Sequence, residues 1–323
     1  RTLRTEGRYA EALEALTEEI EGLDLDYTPP GPFVERAQLL FEVGRVDEAI
    51  SVMEAVVRRY PDPAYTIPLA EYYLYRGRLT EYQAALQIAM LQAQGTRRYA
   101  QEWETAVALA RMLELQGENP RRILNTYLEL WTQRLATSSA PFVAAGDLAY
   151  RKYSYDVAAD YYTRALELDP TNQSALAGLA ECYWKSSDPR VEETLEKLTA
   201  INPNHPRARA IEVERLLDLG DAEAALAVIG DALKINPNDL QFLSLKAAAH
   251  FLQDDEAAMQ ATRTRILDFN PHYAGAFAVP ARVASRHYRF AEASEMLREA
   301  IRIAPEDPSV RADLAFNLLR LGE

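Results

Sequence analysis

Five prolines recur at a nearly constant interval: Pro170, Pro203, Pro237, Pro271 and Pro305 are separated by 33, 34, 34 and 34 residues. The text leading into four of them is similar, LELDP, TAINP, LKINP and LDFNP, and each closes a stretch whose apolar residues recur three or four apart. Proline lacks the amide hydrogen that an α-helix needs and pushes the residue before it out of helical conformation. The chain therefore ends a helix every 34 residues or so and starts another within a few. A fixed period of this length predicts a repeat array, in which each unit buries its apolar face against its neighbours.

That period overrides the domain count that 323 residues would suggest, and predicts one array over residues 1–323. Hydrophobic residues make up 48% of the chain, too many for disorder, and no apolar run is long enough to cross a bilayer, which predicts a soluble folded chain. With 35 basic and 49 acidic residues the net charge is −14, which repels phosphate backbones and anionic lipid, so no nucleic-acid partner and no membrane insertion are expected. The single Cys182 rules out an intramolecular disulfide and leaves cytoplasm and periplasm equally open. The chain begins RTLRTEGRYAEAL, without a methionine or a signal-peptide profile, and ends LLRLGE inside a helix-pair pattern. A piece of a longer array, or a processed chain, is expected.

Between the prolines each unit reads as two helices joined by a tight turn. The turn carries Gly7, Gly44, Gly77, Gly117, Gly220 or Gly322, with Tyr153, Ser187, Asp254 and Tyr288 at the equivalent place elsewhere. Glycine suits a helix end that needs positive φ. Turns and prolines together predict helix pairs at 31–61, 64–95, 98–134, 140–169, 171–202, 204–236, 238–270 and 272–304, with half units at both ends.

The unit from Ser139 to Pro170 carries Phe142, Ala145, Gly146, Ala149, Ala158, Tyr162, Ala165 and Pro170. This spacing resembles the tetratricopeptide repeat, or TPR, family. Other units keep part of it, among them Ala225, Ile229, Ala232 and Pro237, and the resemblance covers essentially the whole chain. It implies an all-α solenoid, a right-handed superhelix of antiparallel helix pairs. The 40 residues between Gly77 and Gly117 depart from the period and predict irregularity around 95–125. Arg209 and Glu212 stand where bulky apolar residues are expected, which puts the register of their helix in doubt, and Pro280 falls inside a first helix and should kink it.

Catalytic chemistry is not legible. His205, His250, His272 and His287 lack metal-pair spacing, and no HExxH, CxxC or glycine-rich phosphate loop occurs, so neither cofactor nor metal is expected. Cys182 reads as a buried, inert thiol. What remains is the inner face that the first helices of such arrays line, where relatives of this family take peptides. Its slots predict partner contacts at Glu71 and Tyr75, Asp147 and Tyr150, Glu181 and Trp184, Glu214, and Arg282 and Arg286. The repeated acidic slot favours a basic or amphipathic protein segment, and the aromatic residues are potential anchors. The plainer alternative is helix support, since Asp147 with Arg151 and Glu181 with Lys185 are i, i+4 pairs. The inward slots do not supply the lysine and asparagine clamp with which chaperone-tail binders of this family hold a terminal carboxylate.

Three functions are consistent with these features. The first is a non-catalytic interaction scaffold. The second is the repeat portion of a longer enzyme, because the text from INPNHPRARA onward looks somewhat like arrays preceding gluzincin-type metallopeptidase domains in exported bacterial proteins. The third is a structural role through self-association.

Overall fold

The computed structural model describes residues 2–94 and 103–323, and within them the only regular structure is helical. The helices follow one another in antiparallel pairs. In order they are α1 (Thr2–Thr5) and α2 (Tyr9–Glu19), α3 (Gly31–Glu42) and α4 (Val46–Arg59), α5 (Pro63–Tyr75) and α6 (Leu79–Gln94), then α7 (Trp103–Leu115). The partner of α7 is broken into α8 (Pro120–Ile123), a π-helical turn (Leu124–Leu128) and α9 (Glu129–Arg134). Regular pairs resume with α10 (Ala140–Arg151) and α11 (Tyr155–Leu168), α12 (Gln173–Lys185) and α13 (Val191–Ile201), and α14 (Pro206–Asp218) and α15 (Ala222–Ile235). They continue with α16 (Leu240–Leu252) and α17 (Glu256–Phe269), α18 (Gly275–Arg286) and α19 (Phe290–Ile303), and α20 (Pro308–Leu321). Of the stretch expected to be irregular, 95–102 lies outside the described residues. The π turn begins at the end of that stretch and runs past it.

The punctuation works as the local chemistry dictates. The residue before each periodic proline is extended: Asp169, Asn202, Asn236, Asn270 and Ala304 have φ between −126° and −141°. Side chains of Asn172, Asp221, Asp239, Asp255 and Asp307 then accept backbone N–H bonds at the start of the next helix. All six turn glycines have positive φ, and so do Tyr153, Ser187, Asp254 and Tyr288, at 53° to 61°.

Contacts divide the chain into two units. The first takes in Arg1–Phe41, Arg45–Leu74 and Arg78–Ala208. The second takes in Glu42–Gly44, Tyr75–Gly77 and Arg209–Glu323. In the first, the Tyr162 ring is fully buried between Gly146 and Gly178, where a Cβ on Gly146 would lie 2.7 Å from Cε1 and one on Gly178 would come closer still. The small residues of the repeat thus open a slot for the large one. In the second, Val213, Leu217, Ile229, Phe242, Leu245 and Val283 form one core cluster. This settles the register of α14: Ala210, Val213 and Leu217 point inward while Glu212 is exposed.

Ile229 and Leu297, fully or nearly fully buried, stand 34 residues on either side of Arg263, which occupies the same core position and is only 6% exposed. Sequence reasoning passed over this arginine, although the 34-residue period alone locates it. α18 runs on through Pro280, and the Ala276 carbonyl, four residues before that proline, accepts from Arg263 Nε at 3.4 Å.

Candidate functional site

A cavity of about 440 Å³ opens in the first unit against α5, α7, α10 and the start of α12. All four are first helices of their pairs, so their inward faces meet there. Ile67, Val107 and Val143 give it an apolar floor, and Glu71, Arg111 and Asp147 line it with charge. Glu71 and Asp147 are both among the inward slots read from the sequence.

The charges are not the bare acidic ladder that the slots suggest. Arg111 donates through Nε to Glu71 at 2.6 Å and through Nη1 to Glu114 at 3.0 Å. Glu114, whose side chain is 4% exposed, also pairs with Arg151 at 2.8 Å and Lys152 at 3.4 Å. Burial pushes the Glu114 carboxyl up, but Arg151 and Arg111 outweigh it and hold the group below its ordinary value. Arg151 thus reaches back to the preceding pair instead of supporting Asp147. Asp147 accepts a 2.7 Å bond from the Tyr162 hydroxyl, so the expected i, i+4 pair with Arg151 is replaced by two bonds between helices.

The other predicted contacts are distributed elsewhere in the two units. Tyr150 packs in the core around Tyr162, its ring 5.5 Å from that of Tyr155. Glu181 lies 3.6 Å from Arg207. Trp184 is half-buried near the end of α12. In the second unit Glu214 is half-buried on α14, Arg282 pairs with Asp313 at 2.7 Å, and Arg286 pairs with Asp218. The Tyr75 hydroxyl donates to the Asn238 carbonyl and accepts from the Leu240 amide, both at 3.0 Å. Arg111 and Glu114 are the additions that sequence reasoning missed, because they sit where the period is disturbed.

The remaining chemistry-bearing side chains are quiet. Cys182 is 1% exposed, and burial pushes its thiol up to about 12, away from the reactive thiolate. Burial and then Arg207 pull His205 down to about 4, so it is neutral at pH 7. No group of His, Cys, Asp and Glu among the described residues could hold a metal ion, and no described helix is long and apolar enough to cross a membrane.

Comparison with known proteins agrees with this architecture. Two tetratricopeptide repeat profiles match, at residues 34–89 and 149–210. The heat shock protein sti1 homolog of Schizosaccharomyces pombe is 29% identical over 129 residues, 40% of this chain and 21% of that protein. U-box domain-containing protein 70 of Oryza sativa subsp. japonica is 27% identical over 99 residues, 30% of this chain and 12% of that protein. The chain therefore spans about a fifth or less of the curated relatives it matches. Among solved structures, the APC/C hetero-tetramer Cut9–Hcn1 superposes with a TM-score of 0.61 at 14% identity, covering 96% of this chain and 59% of that one. A tetratricopeptide repeat protein from Parabacteroides merdae superposes with a TM-score of 0.51 at 14% identity, covering 78% of this chain and 97% of its own. Period, turns, slot-and-ring packing and these likenesses converge: the chain is an α-solenoid that carries tetratricopeptide repeats.

Proposed function

We propose that this array is a non-catalytic protein-interaction scaffold that seats a segment of a partner in the cavity against α5, α7 and α10. The observation that carries the reading is the cavity itself, an apolar floor with three carboxylates on its lining, Glu71, Glu104 and Asp147, against one arginine, Arg111. That balance favours a segment with an apolar side chain for the floor and a lysine or arginine beside it. Asp147 accepts from the neutral Tyr162 hydroxyl and shares its charge with Arg207, and its place on the cavity lining turns it towards such a cation.

Relatives named as a heat shock protein homolog and as a subunit of a hetero-tetramer support an interaction role over a catalytic one. Their greater length also keeps open the repeat portion of a longer, exported enzyme, for which an HExxH motif in the full reading frame is the test.

Selection from a random-peptide library against the purified protein checks the scaffold reading. Enriched peptides should pair apolar with basic residues and bind Val143→Arg protein at least about tenfold more weakly, the loss expected from filling the floor with a like charge. Equal binding to both proteins would place the partner surface elsewhere.

A further inference from the structure

Three of the turn glycines do something the others do not. In the first unit Gly7 lies against the Asn202 side chain, so close that a Cβ at position 7 would collide with Oδ1. In the second unit, which includes the tripeptides 42–44 and 75–77, Gly44 meets Asn236 in the same way, and a Cβ on Gly77 would lie 2.7 Å from Oδ1 of Asn270. The partners are 192 to 195 residues apart and occur in the same order. A Cβ on Gly117 or Gly322 would meet nothing within 4 Å, and one on Gly220 only a His287 carbon at 3.8 Å.

Positive φ does not explain this difference. The equivalent turns at Tyr153, Ser187, Asp254 and Tyr288 adopt it with full side chains. Glycine at 7, 44 and 77 is held by the close approach of an asparagine.

Hydrogen bonds join the same turns to the same loops. Asn204 Nδ2 donates to the Gly7 carbonyl at 3.3 Å, Asn238 Nδ2 to the Gly44 carbonyl at 3.1 Å, and Asn270 Nδ2 to the Tyr75 carbonyl at 3.0 Å. Each loop is shaped for the task. Oδ1 of Asn202, Asn236 and Asn270 accepts the amide of the residue two further on, at 2.9 to 3.0 Å, which fixes the shape of each loop. The sequence marks the same three pairs: the loops read INPN, INPN and FNPH, and the matching turns are Gly-Arg. The periodic prolines without such a turn follow Asp169 and Ala304, and Gly117, Gly220 and Gly322 precede acidic residues.

We infer that these three Gly-Arg turns and three Asn-Pro loops are an internal lock, a set of rungs that ties turn to loop across nearly two hundred residues and holds each unit in its closed arrangement. The third rung also keeps Tyr75 under the chain's own 238–240 segment, so that this tyrosine becomes available to a partner only when the rung opens. Opening the third rung takes Nδ2 of Asn270, a side chain only 4% exposed, away from the Tyr75 carbonyl, a cost that biases the lock towards closure.

Hydrogen exchange tests the lock, because breaking a rung must be felt far along the chain. In Asn270→Ala protein, amides 75–79 should exchange at least about tenfold faster while α11 in the first unit keeps its protection. Asp169→Ala removes the same kind of loop bond, to Thr171, where no glycine turn is clasped, and should change exchange only locally. Unchanged exchange at 75–79, or an equal remote response in Asp169→Ala, would overturn the inference. Should Asn270→Ala unfold the second unit, Asn238→Ala removes only the bond to the Gly44 carbonyl; faster exchange at 43–46 then supports the lock and unchanged exchange refutes it. Gly44→Ala should also lower the urea midpoint more than Gly220→Ala, since φ is 80° and 79° at the two sites and only one faces an asparagine. Equal losses would count against the rung.

Discussion

Arg263 aims its Nε at the carbonyl oxygen of Ala276, 3.4 Å away, the group that Pro280 leaves without its helical donor. The guanidinium lies over the Phe277 ring at 4.8 Å and its Nη2 is 2.6 Å from the Met296 sulfur. No carboxylate pairs with it among the described residues, and burial pulls it below its ordinary value. A charge in a core position is thus tied to a proline in the neighbouring helix, and the two substitutions make sense only together.

Coupling between them is measurable. Arg263→Leu matches the apolar residues found in other units, but it leaves the Ala276 carbonyl unsatisfied. In a Pro280→Ala background, where the helix supplies its own donor, Arg263→Leu should be less costly by about 1 kcal/mol. A double-mutant cycle in urea reads this, and additive effects would mean that the two residues act independently.

The Tyr162 slot is expected to tolerate nothing larger than glycine. Gly178→Ala forces a methyl into the ring and should destabilise by about 1–3 kcal/mol, with Gly146→Leu at least as costly. Tyr162→Phe keeps the packing and removes only the bond to Asp147, for about 1 kcal/mol. A denaturation midpoint unchanged in Gly178→Ala would contradict the packing described here.

Stability should fall with acid in a way traceable to Glu114. Its carboxyl is held below 4.5 in the folded chain, so its contribution is complete above that value and is lost as pH falls through the folded one. Glu114→Gln should cost about 2 kcal/mol at pH 7, less than a fully buried pair because Arg111 and Arg151 remain partly hydrated. The gap between wild type and variant should narrow progressively as pH falls below 4.5. A gap independent of pH would remove Glu114 from the account of acid sensitivity.

Salt should report on the partner surface. If a basic segment is drawn to Glu104 and Asp147, Asp147→Asn should lower the on-rate for a selected peptide and flatten its salt dependence, leaving the off-rate nearly unchanged. Stopped-flow binding at two ionic strengths separates the two rates. An effect confined to the off-rate would point to Asp147 acting through the Tyr162 ring and not through its charge.

The sequence by itself determined the repeat: where each helix ends, which residue turns the chain, and which small residues face a large one. These are local matters, fixed by a proline, a positive φ or a spacing of three or four. It also placed Glu71 and Asp147 on an inward face, because one helical period suffices for that. Where the acidic side chains find their partners was not legible, since Glu71 meets Arg111 on the next first helix and Glu114 meets Arg151 on the one after. A ladder of acids read one helix at a time therefore became an alternation of opposite charges. Tyr75, assigned to a partner, is instead bonded to Asn238 and Leu240. Only the tertiary structure decided this, and the match of Gly7, Gly44 and Gly77 to Asn202, Asn236 and Asn270. Such pairings join residues nearly two hundred positions apart, a separation that no local pattern records.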